Sequence, residues 1–481
     1  MSTSPRILVL AVLAPAVAAL ACGGDDGGSG ATAATTEATT STTTEAATSS
    51  STTGTSGDPS STGEGTTTTT TAGGEPSVSY YRDVKPLLDH CCVKCHRAGD
   101  IAPFALESYE QASMWGPSLL PSLEDRTMPP WGADGACRDY RYDHTLSDAE
   151  IATITEWVDI GAPAGEPADE PAPLPDDGPP AIDYDIELMA PEPFAPTVYP
   201  DEYRCFLIDW PADDERFVTG FNILPGERSI VHHVIAFVIP PDEVDTYVAL
   251  DEADPEIGYS CYGGPGGEAV PRAQWLGAWA PGFPGGPLPE GTGIEVAPGS
   301  KVAIQIHYHP VQGAGADQSR VQIRTATAVD HPAYVLPLAN PLWMLNVVPM
   351  SIPAGNSDVR HTFEIDIPAA IDFLFPGSSF GLDGPVEVST AGLHMHTLGT
   401  RGSLHVRRGG DEAQQECLVD VPRWDFNWQG TYEFSERVTV ETSDTIFLEC
   451  HFDNSNGDKN VAWGDGTEDE MCLGILYVSE P

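Results

Sequence analysis

From about residue 181 to the C-terminus the sequence shows no helical periodicity, and this constrains the fold more than any single motif. Short runs rich in β-branched and aromatic residues, such as "RFVTGFNI", "VHHVIAFVI", "KVAIQIHYH" and "GSLHVRR", alternate with Gly- and Pro-containing turns. Many short strands at such spacing bury a core by closing into sandwiches or barrels. A span of this length is generous for one sandwich and natural for two. The expected fold is therefore mainly β, with sandwiches at 181–325 and 326–481.

The residues ahead of that span differ in kind. Residues 78–165 carry helical patterns, "RDVKPLLDHCCVKCH" and "LSDAEIATITEWVDIGA". In the second, Ser147 with Glu150 forms a capping box, and Ile151, Ile154, Trp157 and Val158 follow at helical spacing. The Pro- and acid-rich residues 166–180 read as a semi-rigid linker. Residues 23–77 are Ser, Thr, Gly and Ala with scattered acids. Such a segment cannot bury enough apolar surface to offset its ordering entropy, and it reads as a disordered tether.

At the N-terminus, Arg6 precedes an apolar run from Ile7 to Leu20 that is short for a membrane span and reads as a signal peptide. Ala19, Leu20 and Ala21 before Cys22 resemble a bacterial lipobox, which would make Cys22 the lipidated first residue of an envelope protein. An ordinary secretory signal followed by an incidental cysteine gives the same export. Either route permits disulfides. The net charge of −50, from 22 Lys+Arg against 72 Asp+Glu, excludes nucleic acid as a partner, because phosphate contacts need cationic side chains.

Two groups of residues carry chemistry. Cys92-Val93-Lys94-Cys95-His96 is C-x-x-C-H, the attachment pattern of c-type haem, with the imidazole as axial ligand. Met128 in "RTMPPW" is the candidate sixth ligand, with His90 and His144 as weaker ones. The same spacing also serves a zinc site, a redox dithiol or a plain disulfide. The surrounding residues resemble small monohaem cytochrome c domains.

In the β region, "VHHVIAF" carries His232 and His233, "IQIHYHP" carries His307 and His309, and "AGLHMHTL" carries His394 and His396. A lone histidine on a strand is usually a polar surface residue or a satisfied core residue. Side chains two apart on a strand share a face, so His394 and His396 stand together with Met395 pointing away. Adjacent His232 and His233 cannot share a face of a regular strand, so the backbone must twist there or the strand must end. Imidazole suits copper or zinc.

The order His-His, His-Tyr-His-Pro, His-x-His and then Glu-Met-Cys at 470–472 resembles the copper type II, ascorbate-dependent monooxygenases, over about 181–481. "AWAPG", "DFNWQ" and "SDTIFLECHFDN" agree with it. The resemblance implies two jelly-roll-type sandwiches, each holding one copper ion. By motif match His232, His233 and His307 resemble the electron-storing copper site. His394, His396 and Met471 resemble the site where O2 reacts, and His309 matches no ligand.

The resemblance also pairs Cys450 with Cys472, and Cys205 with Cys261. Apart from the resemblance, Cys91 can pair with Cys137 inside the helical segment, which leaves Cys417 over, and the sequence leaves the pairing of these three open. Peptide-hydroxylating members carry an Arg and a Tyr where this chain has Gly392 and Ile475, so a peptidylglycine substrate is not expected.

The resulting expectation is a monooxygenase acting on an unidentified small molecule with O2. Its electrons would come from the fused haem, from ascorbate or from another external donor. The rival reading is a non-catalytic copper and haem electron-transfer lipoprotein.

Overall fold

A computed structural model describes residues 76–98, 102–175, 178–261, 264–266, 273–280, 285–310, 315–374, 384–464 and 466–481. The readings placed on residues 1–75, including the signal segment, Cys22 and nearly all of the tether, lie outside the described residues. No helix among the described residues is long and apolar enough to cross a membrane.

Three helices, α1 (Lys85–Cys91), α2 (Tyr109–Glu124) and α3 (Asp148–Asp159), form the N-terminal module. They pack around Tyr80, Val84, Leu88, Ala112, Ile154 and Trp157. Both longer helices begin with a capping box. The one at Ser147 is as the sequence indicates: Ser147 N donates to Glu150 Oε2 at 2.8 Å and Glu150 N donates to Ser147 Oγ at 3.3 Å.

The rest is mainly β, as expected. The first sandwich contains β1 (Ile186–Met189), β2 (Glu202–Asp209), β3 (Arg216–Leu224), β4 (Val231–Ile239), β5 (Tyr259–Ser260), β6 (Gln274–Trp279), β7 (Gly285–Pro287), β8 (Thr292–Val296), β9 (Lys301–Tyr308) and β10 (Arg320–Ala326). The second contains β11 (His331–Leu338), β12 (Val359–Asp366), β13 (Val386–His394), β14 (Gly399–Arg407), β15 (Gln415–Val421), β16 (Thr431–Val440), β17 (Thr445–Phe452) and β18 (Leu473–Ser479).

Sheets β5-β2-β9-β4-β6 and β12-β17-β14-β15 supply one layer of each sandwich. The other layers join through a short parallel pairing of β8 with β11 at Thr292↔His331 and Gly293↔Pro332, giving one nine-stranded sheet. Tyr477 of β18 reinforces the joint, its hydroxyl 2.7 Å from Thr292 Oγ1.

The helical module is sewn to the second sandwich by its own residues 131–142. Asp134 N donates to Asp420 O, Arg141 N to Glu433 O, and Ser435 N to Asp139 O, at 2.8–3.0 Å. Ala133 and Tyr140 enter the core of the second sandwich. Cys137 bonds to Cys417 across 280 residues of sequence, with a Cα–Cα distance of 5.5 Å. This corrects the pairing of Cys91 with Cys137 and accounts for Cys417. Cys91, Cys92 and Cys95 remain thiols. The cause is the edge-strand-like path of 131–142 along β15 and β16, which lifts Cys137 away from α1.

Candidate metal centre

The first histidine cluster is built by a β-bulge. β4 and β9 run antiparallel, with Val231 opposite Tyr308 and His233 opposite His307, so His232 is the extra residue. A bulge sets two residues of one strand against one of the other and re-aims their side chains. This is how adjacent His232 and His233 come to face one point, their Nδ1 atoms 3.4 Å apart. A ligand atom from each of His232, His233 and His307 lies within 4.8 Å of the others.

Hydrogen bonds fix which nitrogen His307 presents. Its Nε2 lies 3.0 Å from Asp201 Oδ1, and Asp201 also takes His309 Nδ1 at 3.1 Å. The hydrogen bond from His307 is the main cause holding the Asp201 carboxyl well below the usual range, so it is an ionised acceptor and His307 carries its proton on Nε2. His307 Nδ1 is then a lone pair, and it is buried with no hydrogen-bond partner. A buried polar nitrogen left unpaired beside two other imidazoles fits a metal ion. His309 is exposed and stands behind Asp201.

The second cluster starts at the end of β13. His394 and His396 lie side by side, ring centroids 5.1 Å apart, while Met395 is fully buried in the core on the opposite face. The β13–β18 register runs Gly392↔Ile475, Leu393↔Gly474 and ends at His394↔Leu473, two residues after Met471. Met471 is buried and is followed directly by Cys472, which bonds to Cys450 of β17. Cys205 and Cys261 are bonded in the first sandwich. These are the two pairs that the resemblance implies.

Tautomers are set here too. Gln429 Nε2 donates to Phe426 O at 2.8 Å, which turns Gln429 Oε1 toward His394 Nδ1 at 2.5 Å. An amide oxygen only accepts, so His394 holds its proton on Nδ1. His396 Nδ1 likewise donates to Asp469 O at 3.0 Å. Nε2 is therefore the nitrogen each ring would present to an ion. Burial lowers the proton affinity of all five rings, pushing His232 to about 4 and His394 to about 3. Neutral imidazole is the ligating form.

Four residues to which the sequence assigns no role complete the centre. Phe426 touches both clusters, 5.1 Å from the His232 ring and 6.1 Å from His396. Gln429 and Asp201 orient the His394 and His307 rings. Fully buried Glu470 accepts from the backbone N–H groups of His396 at 2.8 Å and Leu398 at 2.5 Å, and burial raises it to about 7. "DFNWQ" and "Glu-Met-Cys" contain three of the four, but nothing in their spacing reveals what each side chain touches.

In the helical module, Cys92, Cys95 and His96 lie on one tight turn after α1, with His96 N donating to Cys92 O at 2.8 Å. His96 Nδ1 lies 3.1 Å from Phe104 O, which leaves Nε2 as the outward nitrogen. Burial pushes the Cys92 thiol up to about 12. Met128 is 43 % exposed on the turn that follows α2. His144 has both ring nitrogens against backbone carbonyls, of Tyr142 and Pro130, and serves packing rather than ligation. His90 sits on α1.

Two imidazole clusters, one from each sandwich, thus lie against the same ring, that of Phe426. Residues 379–479 match the family described as copper type II ascorbate-dependent monooxygenase, C-terminal domain. The chain is 23 % identical over 284 residues to DBH-like monooxygenase protein 1 of Gallus gallus, covering 57 % of this chain and 44 % of that one. It is 25 % identical over 309 residues to peptidyl-glycine alpha-amidating monooxygenase A of Xenopus laevis, covering 62 % and 28 %. Over 85 residues it is 32 % identical to putative DBH-like monooxygenase protein 2 of Homo sapiens, covering 18 % and 17 %. The matches thus span less than half the length of each relative, and the family model covers only the C-terminal part of the β region.

Proposed function

We propose that the chain is a copper-dependent monooxygenase that hydroxylates a C–H bond of a small molecule. The observation that carries this reading is the meeting of two imidazole clusters, one from each sandwich, across a single aromatic ring, Phe426. His232, His233 and His307 would hold one copper ion, and His394, His396 and Met471 the other, where the soft thioether favours Cu(I). Bound copper supplies one-electron chemistry with O2: one oxygen atom enters the C–H bond and the other leaves as water, using two electrons and two protons.

The protein's own part is to prepare the ligands. Asp201, Gln429 and the Asp469 carbonyl hold three rings in the tautomer that offers a lone pair. Burial keeps the rings neutral, so they bind an ion without first releasing a proton.

The substrate reading rests on Gly392. A Cβ there would stand 2.9 Å from Thr431 Cγ2 and 3.0 Å from Gly430 O, so a longer side chain has no room without movement of that loop. Opposite it lies Ile475. With neither Arg nor Tyr there, the site offers no clamp for a peptide carboxylate, and the proposed substrate does not need one.

For the electrons we favour a c-type haem on Cys92, Cys95 and His96, with Met128 as sixth ligand, and ascorbate as an alternative external reductant. The observation favouring a built-in donor is the seam. Arg423 donates to Asp125 O and Arg126 O at the end of α2 at 2.8 and 2.7 Å, while Trp428 of the same loop packs on His144. That loop also carries Phe426 and Gln429. The three disulfides fit an oxidising compartment, and we place the protein in a bacterial envelope, anchored through lipidated Cys22.

Copper and iron stoichiometry followed by an O2-uptake screen tests the proposal. Met471→Ile should abolish substrate-dependent O2 uptake while the first cluster keeps its copper. Full activity in that variant, or two coppers with no O2 uptake across a broad screen, would favour the electron-transfer reading. Haem that stays reduced while O2 is consumed would rule out the built-in donor.

A further inference from the structure

Between Asp330 and Asp358 the chain has no Asp, Glu, Lys or Arg, although 20 % of its residues are charged. The middle of this stretch follows β11 as α4 (Pro341–Met344) and a turn through Asn346. Here Leu342, Leu345 and Val347 are 46, 47 and 65 % exposed, and Met344 and Val348 are exposed beside them. Contiguous exposed apolar side chains on a soluble surface mark a contact site.

Two features specify the contact. The first is backbone satisfaction. Leu342 N donates to Asn340 Oδ1, Trp343 N and Met344 N to Asn340 O, and Leu345 N to Pro341 O. Asn346 N donates to Trp343 O, and Val347 N and Val348 N to Leu342 O. Every N–H from 342 to 348 is therefore bonded within the loop. Hydrocarbon offers no hydrogen bonds, so only a segment that satisfies its own donors enters it cheaply. A protein partner adding a strand would need those donors free. Trp343 braces the loop from below, buried against His361 and Trp463.

The second feature is the chain ahead of the described body. Residues 1–75 contain the apolar run Ile7–Leu20 and Cys22. These are the residues to which the functional reading above assigns export and anchoring at a membrane.

We propose that the 342–348 loop is a membrane-contact surface that inserts Leu342, Leu345 and Val347 into the interfacial region of a bilayer with uncharged headgroups. The anchoring at Cys22 is part of the functional reading above, and the loop's affinity for lipid does not depend on it. The net charge of −50 opposes anionic lipid, so the uncharged loop is the face that approaches a neutral bilayer at least cost.

The test uses the chain beginning at Gly23, which keeps every described residue and lacks Cys22, in flotation with phosphatidylcholine vesicles. It should co-float, and more weakly when phosphatidylglycerol is added. Leu345→Asp with Val347→Asp should reduce binding by about tenfold or more. Both side chains are exposed, and an unchanged unfolding midpoint checks that the fold survives. Absence of flotation, or flotation equal in the double variant, overturns the proposal. A dimer that the double variant dissociates, without vesicle binding, also overturns it and assigns the patch to a second copy. Labelling of Cys22 by a fatty acid in the full chain reports separately on the anchor.

Discussion

Gln429→Leu is the sharpest probe of the second cluster. Leu fills nearly the same space but removes the only oxygen that receives the His394 Nδ1 proton in the structure, at 2.5 Å. Two losses follow. The buried Nδ1–H is left without its acceptor, which costs about 1–3 kcal/mol. The ring is also released from the tautomer and orientation that present Nε2. The first loss is common to the metal-free and metal-bound protein and lowers folding stability. The second weakens copper binding, by the roughly 10- to 100-fold usual for removal of a group that orients a metal ligand.

The loss should be confined to one of two sites, because Gln429 bonds to none of His232, His233 and His307. Competitive copper titration with a chromophoric Cu(I) chelator should show one unchanged and one weakened site. Paramagnetic resonance of the Cu(II) form should lose or shift one of two signals. If both sites keep their affinity, or both weaken equally, the tautomer argument fails.

Three further outcomes are expected. Asp201→Asn should reverse the pattern, weakening the first cluster about 10-fold or more and sparing the second, in the same titration. Met395→Ala should cost about 2–5 kcal/mol in chemical unfolding, since the side chain is fully buried, with copper stoichiometry unchanged. The metal-free protein should lose stability as pH falls. The cluster histidines have folded values below the unfolded ~6.5, about 4 for His232 and about 3 for His394, so the unfolded chain binds more protons in that interval. Their contribution is complete above pH ~6.5 and is lost progressively toward pH 4. Denaturant midpoints flat across that range would refute it.

The residues legible in the sequence are those whose placement depends on local periodicity. His394, Met395 and His396 alternate across β13 because any strand alternates. His232 and His233 needed a break in the strand, and the bulge supplies it. Ser147 and Glu150 cap their helix with atoms three residues apart. The contacts that local periodicity does not encode act across long separations: Asp201 on His307, Gln429 on His394, Glu470 on the N–H of His396 and Cys137 on Cys417. Each depends on where a loop lies once two sheets have packed. No period in the chain encodes that, and a loop residue such as Phe426 carries the same local signal whether it touches an imidazole or water.

The bond between Cys137 and Cys417 also bears on how the molecule is made. Synthesis delivers Tyr140 and Cys137 long before Phe434 and Cys417, so the early segment must wait, unpartnered, until almost the whole polypeptide has emerged. During that wait Cys91, Cys92 and Cys95 are the nearest thiols, and each is a wrong match. Attachment of a prosthetic group to Cys92 and Cys95 would remove two of those three competitors before oxidation begins, making the order of the two covalent events a determinant of yield.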